Sequence, residues 1–203
     1  AYNRATFGGG VFADWSSSVS LFDCVFLSNE AEYGGGVDAY LADLYMANCI
    51  VSGNSASDDG GGIRGYESQV IISSCEISEN SATTGGGISL AHGAVSQVSN
   101  CTIHHNTAKV YGGGIYVSLT SPELINNLIN SNISWMHGGG LTLMYSSAGV
   151  TNCTIVDNTA LSAAGVFCDH NSQPHFVNSI VYHNDPDAVD YYGSGPTITY
   201  SDI

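Results

Sequence analysis

Cations are almost absent from this sequence. Its 203 residues hold only Arg4, Arg64 and Lys109 against 18 Asp and Glu, a formal charge of −15 at pH 7. Phosphate recognition needs a clustered basic face, and an anionic bilayer surface needs the same. Nucleic acid is therefore excluded as a partner, as is charged lipid. No apolar run approaches the roughly 20 residues of a spanning helix, so no membrane insertion is expected. The zinc spacings CxxC and HxxxH are missing, which argues against a zinc site. No amphipathic segment with the helical period is present. Charged residues make up 10% and hydrophobic residues 43%, the reverse of a disordered composition.

What is present is a repeat. Gly triplets end at Gly10, Gly36, Gly62, Gly87, Gly114 and Gly140, with Ala163-Ala164-Gly165 as a degenerate seventh, at spacings of 26, 26, 25, 27, 26 and 25. A second column reads Cys24, Cys49, Cys75, Cys101, Asn127, Cys153 and Ser179, and five residues after each member stands an Asn, from Asn29 to Asn184. Within one unit the apolar period is two, the period of strands. The first strand follows the triplet (Val11, Val37, Ile63, Ile88, Ile115, Leu141, Val166). The second centres three residues before the Cys column (Leu21, Met46, Ile72, Val98, Leu124, Val150, Phe176). The third holds the Cys column and Phe26, Val51, Ile77, Ile103, Ile129, Ile155 and Val181. Inward parity slips by one between the second and third strands, so a bend is expected there. Its residue is mostly Asn (Asn48, Asn100, Asn126, Asn152, Asn178), which tolerates the left-handed conformation.

Identical positions that recur every ~26 residues stack, and a single coil cannot bury its own inner face. The expectation is an all-β, single-stranded parallel β-helix of about eight coils with three parallel sheets, residues 1–203 forming one domain. The glycines supply a tight corner before the first strand.

The pattern C-x-[FI]-x-x-N-x-A-x-x-G-G-G-[VI], seen in CEISENSATTGGGI from Cys75 to Ile88, resembles the repeat of chlamydial polymorphic outer membrane proteins. Those repeats more often carry Ala at the third Gly. The chain is also similar to the right-handed parallel β-helix repeats of large bacterial surface proteins, in its closing stretch as well. The resemblance implies right-handed coiling, secretion to the cell surface, and a role in adhesion or display. It carries over no catalytic residue.

Five of the six Cys share one inward column, which makes them small apolar fillers rather than staples. The acids gather at one corner (Glu30, Glu32, Asp58, Asp59, Asp185, Asp187, Asp190), a set that could hold Ca²⁺ or simply keep an apolar rod soluble; no cofactor is expected. The sequons at Asn100, Asn132 and Asn152 fall on ladder positions, where structural use outweighs glycosylation. On the outward face of the first strand, Asp38, Tyr40, Arg64, Tyr66 and Tyr116 form a candidate glycan-binding surface, since aromatic faces on a flat sheet can stack on sugar rings. Asp14 and Asp38, one coil apart, have a spacing that inverting glycosidases use. Three cations cannot supply the rest of a polysaccharide-active site, so no enzyme is expected and no catalytic residue is assigned.

Two readings remain: a structural or adhesive extracellular element, which is preferred because it explains every repeating feature, and a carbohydrate-binding module. The register at Ile203 meets that at Ala1 after a whole number of coils. Head-to-tail stacking of copies into a filament follows as an expectation, as does the alternative that the chain is one stretch of a longer array.

Overall fold

The computed structural model describes residues 2–93, 96–193 and 195–203; Ala1, where the register comparison starts, lies outside them. Every strand pairs in parallel with the strand one repeat away, and no α-helix occurs among the described residues. The first sheet stacks eight rungs, from Val11–Asp14 to Val189–Tyr191. The second also stacks eight, from Ser18–Phe22 to Thr197–Thr199, and the third stacks seven, from Val25–Leu27 to Ile180–Tyr182. The molecule is thus a parallel solenoid of about seven turns.

A fourth sheet was not anticipated. It is built of five short strands, Glu30–Ala31, Ser55–Ala56, Ser81–Thr84, Thr107–Tyr111 and Ile133–Ser134. Three of these are only two residues long, so alternation has no length in which to show. Their inward residues are Ala31, Ala56, Ala82, Ala108 and Ser134, all buried and all small.

Four sheets need four corners per coil, and each corner turns on a left-handed residue. The predicted bend between second and third sheets has φ of 49–56° at Asp23, Asn48, Ser74, Asn100, Asn126, Asn152 and Asn178. The others sit at Ser28, Gly53, Glu79, His105, Ser131, Asp157 and His183, at the first Gly of each triplet, and just after the first strand (Leu41, Glu67, His92, Leu119, Tyr145, His170). Within a triplet the first Gly needs its φ, whereas the second needs its missing Cβ: at Gly61 that atom would stand 2.4 Å from the Gly86 carbonyl oxygen.

The core is the predicted set of columns. Ile63, Ile88, Ile115, Ile72, Val98, Leu124, Ile77, Ile103 and Ile129 are all fully buried, each stabilising the fold by about 1.5–3 kcal/mol. All six cysteines are free thiols, and those at Cys49, Cys75, Cys101 and Cys153 are buried in their column. The Asn column runs through the interior as a ladder: Asn29, Asn54, Asn80, Asn106, Asn132 and Asn158 each donate from Nδ2 to Oδ1 of the next, at 2.9–3.0 Å. A second, exposed ladder links Asn100, Asn126, Asn152 and Asn178. The sequon residue Asn132 is therefore locked inside the ladder, while Asn100 and Asn152 lie outside.

Departures from a 26-residue coil have visible outlets. The 27-residue spacing is absorbed as a bulge in the fourth sheet, where Ala82 pairs with Ala108 but Thr84 pairs with Tyr111. At the first corner, Asp14 pairs with Tyr40 but Ser18 with Asp43, so this loop holds one residue more than the loop above it. Trp15 and Ser16 both take positive φ there, and Trp15 stands 71% exposed.

Candidate functional site

Trp15 forms part of a groove that runs along the solenoid axis over the first three coils. Its floor is the outward face of the first sheet, with Phe12 and Arg64 lining it and Asp38, stacked between them by the register, beneath it. One wall comes from the corner before the Gly triplets, with Phe7, Tyr33, Asp58 and Asp59; the other comes from the strand ends, with Asp14, Trp15, Tyr40 and Tyr66. The open groove has a volume of about 650 Å³, within the roughly 300–1,000 Å³ of ligand clefts.

Rung spacing places like residues face to face. Phe7 stacks on Tyr33 with ring centroids 5.5 Å apart, Tyr40 stacks on Tyr66 at 5.6 Å, and Trp15 meets Tyr40 edge-on at 6.1 Å. Phe7, Phe12 and Trp15 are exposed, and Tyr33, Tyr40 and Tyr66 are half-exposed. The groove thus gathers six aromatic side chains in one place, with Phe7, Phe12 and Trp15 the most open to solvent.

Asp38 and Arg64 point away from the core, as strand parity requires, yet both are buried, which corrects their expected place on an open surface. Arg64 Nη1 donates to Asp38 Oδ1 at 3.2 Å, and its guanidinium lies between the rings of Tyr33 and Tyr66, 4.6 and 5.0 Å from their centroids. Asp38 has no exposed surface. Burial pushes its carboxyl up to about 6, outweighing the opposing pull of Arg64. Burial also raises Asp59, against a hydrogen bond from Thr84 that lowers it. The hydrogen bond to Asp58 raises the Tyr33 phenol.

The sequence-derived candidates divide. Asp38, Tyr40, Arg64 and Tyr66 come together in the groove. Tyr116 does not line it; it belongs to a separate cluster two coils further on, stacked on Tyr111 at 6.2 Å with its hydroxyl 3.6 Å from Met144 Sδ. Asp14 is exposed and Asp38 is sealed, so the two carboxylates do not face a common open space. Of the acids considered for Ca²⁺, Asp58 and Asp59 line this groove, whereas Glu30 and Glu32 line a trough over the fourth sheet. Among the described residues no three His, Cys, Asp or Glu side chains converge as a metal set. Burial pushes the Cys168 thiol up to about 12 and raises Cys153 as well, which keeps both protonated.

Tyr33 and Phe7 were missed as site residues. A signal for them existed: each directly precedes a Gly triplet, in a column that continues through Asp59, Thr84, Tyr111 and His137.

A family model described as a right-handed β-helix region matches residues 51–203. Comparison with curated proteins gives no match, and comparison with solved structures gives none. The matched stretch covers more than half of the chain and takes in the stacked coils from Val51 onward, and the chain belongs to the right-handed β-helix family.

Proposed function

We propose that this chain is a non-catalytic, cell-surface or secreted β-helix module that adheres by binding a glycan in the groove over its first three coils. The observation that carries this reading is the concentration of six aromatic rings, Phe7, Phe12 and Trp15 exposed and Tyr33, Tyr40 and Tyr66 half-buried, around a volume of about 650 Å³. Ring faces of this kind receive the apolar faces of sugars, while flanking carboxylates accept hydrogen bonds from hydroxyl groups. The sequence alone favoured a purely structural or adhesive element. The groove adds an adhesive surface to that element rather than replacing it. A binding role is favoured over a catalytic one because Asp38, one of the two candidate acids, is sealed against Arg64. The chain's resemblance to bacterial surface repeats supports the location.

Titration against a panel of soluble oligosaccharides tests the reading. Saturable binding is expected with at least one member. It should weaken about 5- to 10-fold in Tyr40→Ala and in Tyr66→Ala, the worth of one aromatic contact, with melting curves showing both variants folded. Tyr200→Ala, 88% exposed and far up the chain from the groove, should bind as the parent does. Equal losses in all three variants, or binding by none of the panel, would overturn it.

A further inference from the structure

The groove's charge specifies which glycans it takes, an inference that rests on the glycan reading above. Four carboxylates line or underlie it, Asp14, Asp38, Asp58 and Asp59, against one cation, Arg64. The charge of that cation is already matched. Its guanidinium is bonded to Asp38 at 3.2 Å, flanked by two tyrosine rings and only 8% exposed. The other two cations lie elsewhere: Arg4 pairs with Glu30 at 3.4 Å, and both Arg4 and Lys109 line the trough over the fourth sheet. Once the Arg64–Asp38 pair is set aside as neutral, Asp14, Asp58 and Asp59 leave the groove anionic. The chain's formal charge of −15 adds a field of the same sign.

Aromatic rings present negative faces, and carboxylates beside them complete a setting that attracts an organic cation. The floor makes one further demand. Arg64 Nε is buried and has no hydrogen-bond partner, so it lacks an acceptor that a sugar hydroxyl oxygen could supply if the ring above it shifts. A uronate would also accept from Arg64, but its carboxylate would have to enter among three others in a confined volume.

We propose that the groove selects an amino-sugar glycan bearing free ammonium groups, with a sugar ring on the exposed indole of Trp15 and its ammonium groups beside Asp14 and Asp58. Acidic polysaccharides are rejected.

The experiment is calorimetric titration of the full chain with three oligosaccharides of equal length. These are N-acetylglucosamine oligomers, their de-N-acetylated counterparts at a pH where the amines are charged, and galacturonate oligomers. The de-N-acetylated ligand is expected to bind about tenfold more tightly than the acetylated one, with an advantage that shrinks as salt rises. The galacturonate should not bind. In Asp14→Asn and Asp58→Asn the ratio of the first two affinities should fall toward one. Equal affinities for acetylated and free-amine ligands would overturn the charge selection while leaving glycan binding intact, as would tightest binding of galacturonate. Failure of all three to bind would overturn the inference together with the reading beneath it.

Discussion

Asn106→Ala should destabilise the solenoid by about 3–5 kcal/mol in denaturant unfolding. Asn106 Oδ1 accepts from the Asn80 backbone N–H and from Asn80 Nδ2, both at 3.0 Å. Its own Nδ2 donates to the Ile77 carbonyl oxygen at 2.9 Å and to Asn132 Oδ1 at 3.0 Å. Truncation strands a buried backbone donor and a buried amide N–H of Asn80, and each such orphan costs about 1–3 kcal/mol. The residue is fully buried at the middle of the rod, so the rungs on both sides lose a shared support. Asn126→Gly is the matched control. Asn126 belongs to the exposed ladder and has φ 56°, a conformation that Gly adopts freely; its loss should stay under about 1 kcal/mol. Equal costs at the two positions would show that the interior ladder contributes no more than a surface one.

The second large effect concerns the sealed ion pair. Arg64→Met should cost about 3–5 kcal/mol near neutral pH, because it leaves Asp38 buried without its partner, so that the carboxyl must either hold an uncompensated charge or take up a proton. The parent protein already shows the sign of this strain. The Asp38 carboxyl titrates at about 6 when folded against 3.8 as its ordinary value. The folded state therefore holds a proton between roughly pH 4 and 6 that the unfolded chain has released. Stability from this group is fully present below about pH 4 and is lost as pH rises through 6, a swing on the order of 3 kcal/mol. Asp59, raised in the same direction, adds to it. Denaturant midpoints should accordingly increase from pH 7 to pH 4.5 in the parent, and the increase should be markedly flatter in Asp38→Asn. In Arg64→Met, where nothing opposes burial, the rise should begin at higher pH. A parent and an Asp38→Asn variant with the same slope would remove Asp38 from the account.

Much of the architecture could be read from the repeat, because a stacked position writes itself into the sequence seven times over. Val51, Ile77 and Ile103 mark an inward column, and Asn48, Asn100 and Asn126 mark a corner, each without any help from its neighbours in the chain. The fourth sheet escaped because Ser55–Ala56 is too short to alternate and its inward Ala looks like part of a turn. Asp38 and Arg64 were assigned to the outer face correctly, but parity says only which way a side chain leaves the strand. It cannot say that Tyr33, from the preceding corner, lies against the guanidinium. Trp15 was hidden for a related reason. The one-residue excess in its loop shows in the Cys-column spacing of 25, but its outcome, an indole beside Tyr40, depends on two consecutive positive-φ residues. The repeat thus records what every coil shares, while the groove is made from what differs among the first three coils.

That difference can be read out with the chain's two tryptophans. Trp15 stands on the groove wall, and Trp135 lines the trough over the fourth sheet. Tryptophan fluorescence during titration with a bound oligosaccharide is the most direct measurement of where the ligand sits. A saturable change that persists in Trp135→Phe and disappears in Trp15→Phe is the predicted result. A change that persists in Trp15→Phe and disappears in Trp135→Phe would place the ligand on the other face and contradict the groove as the binding site.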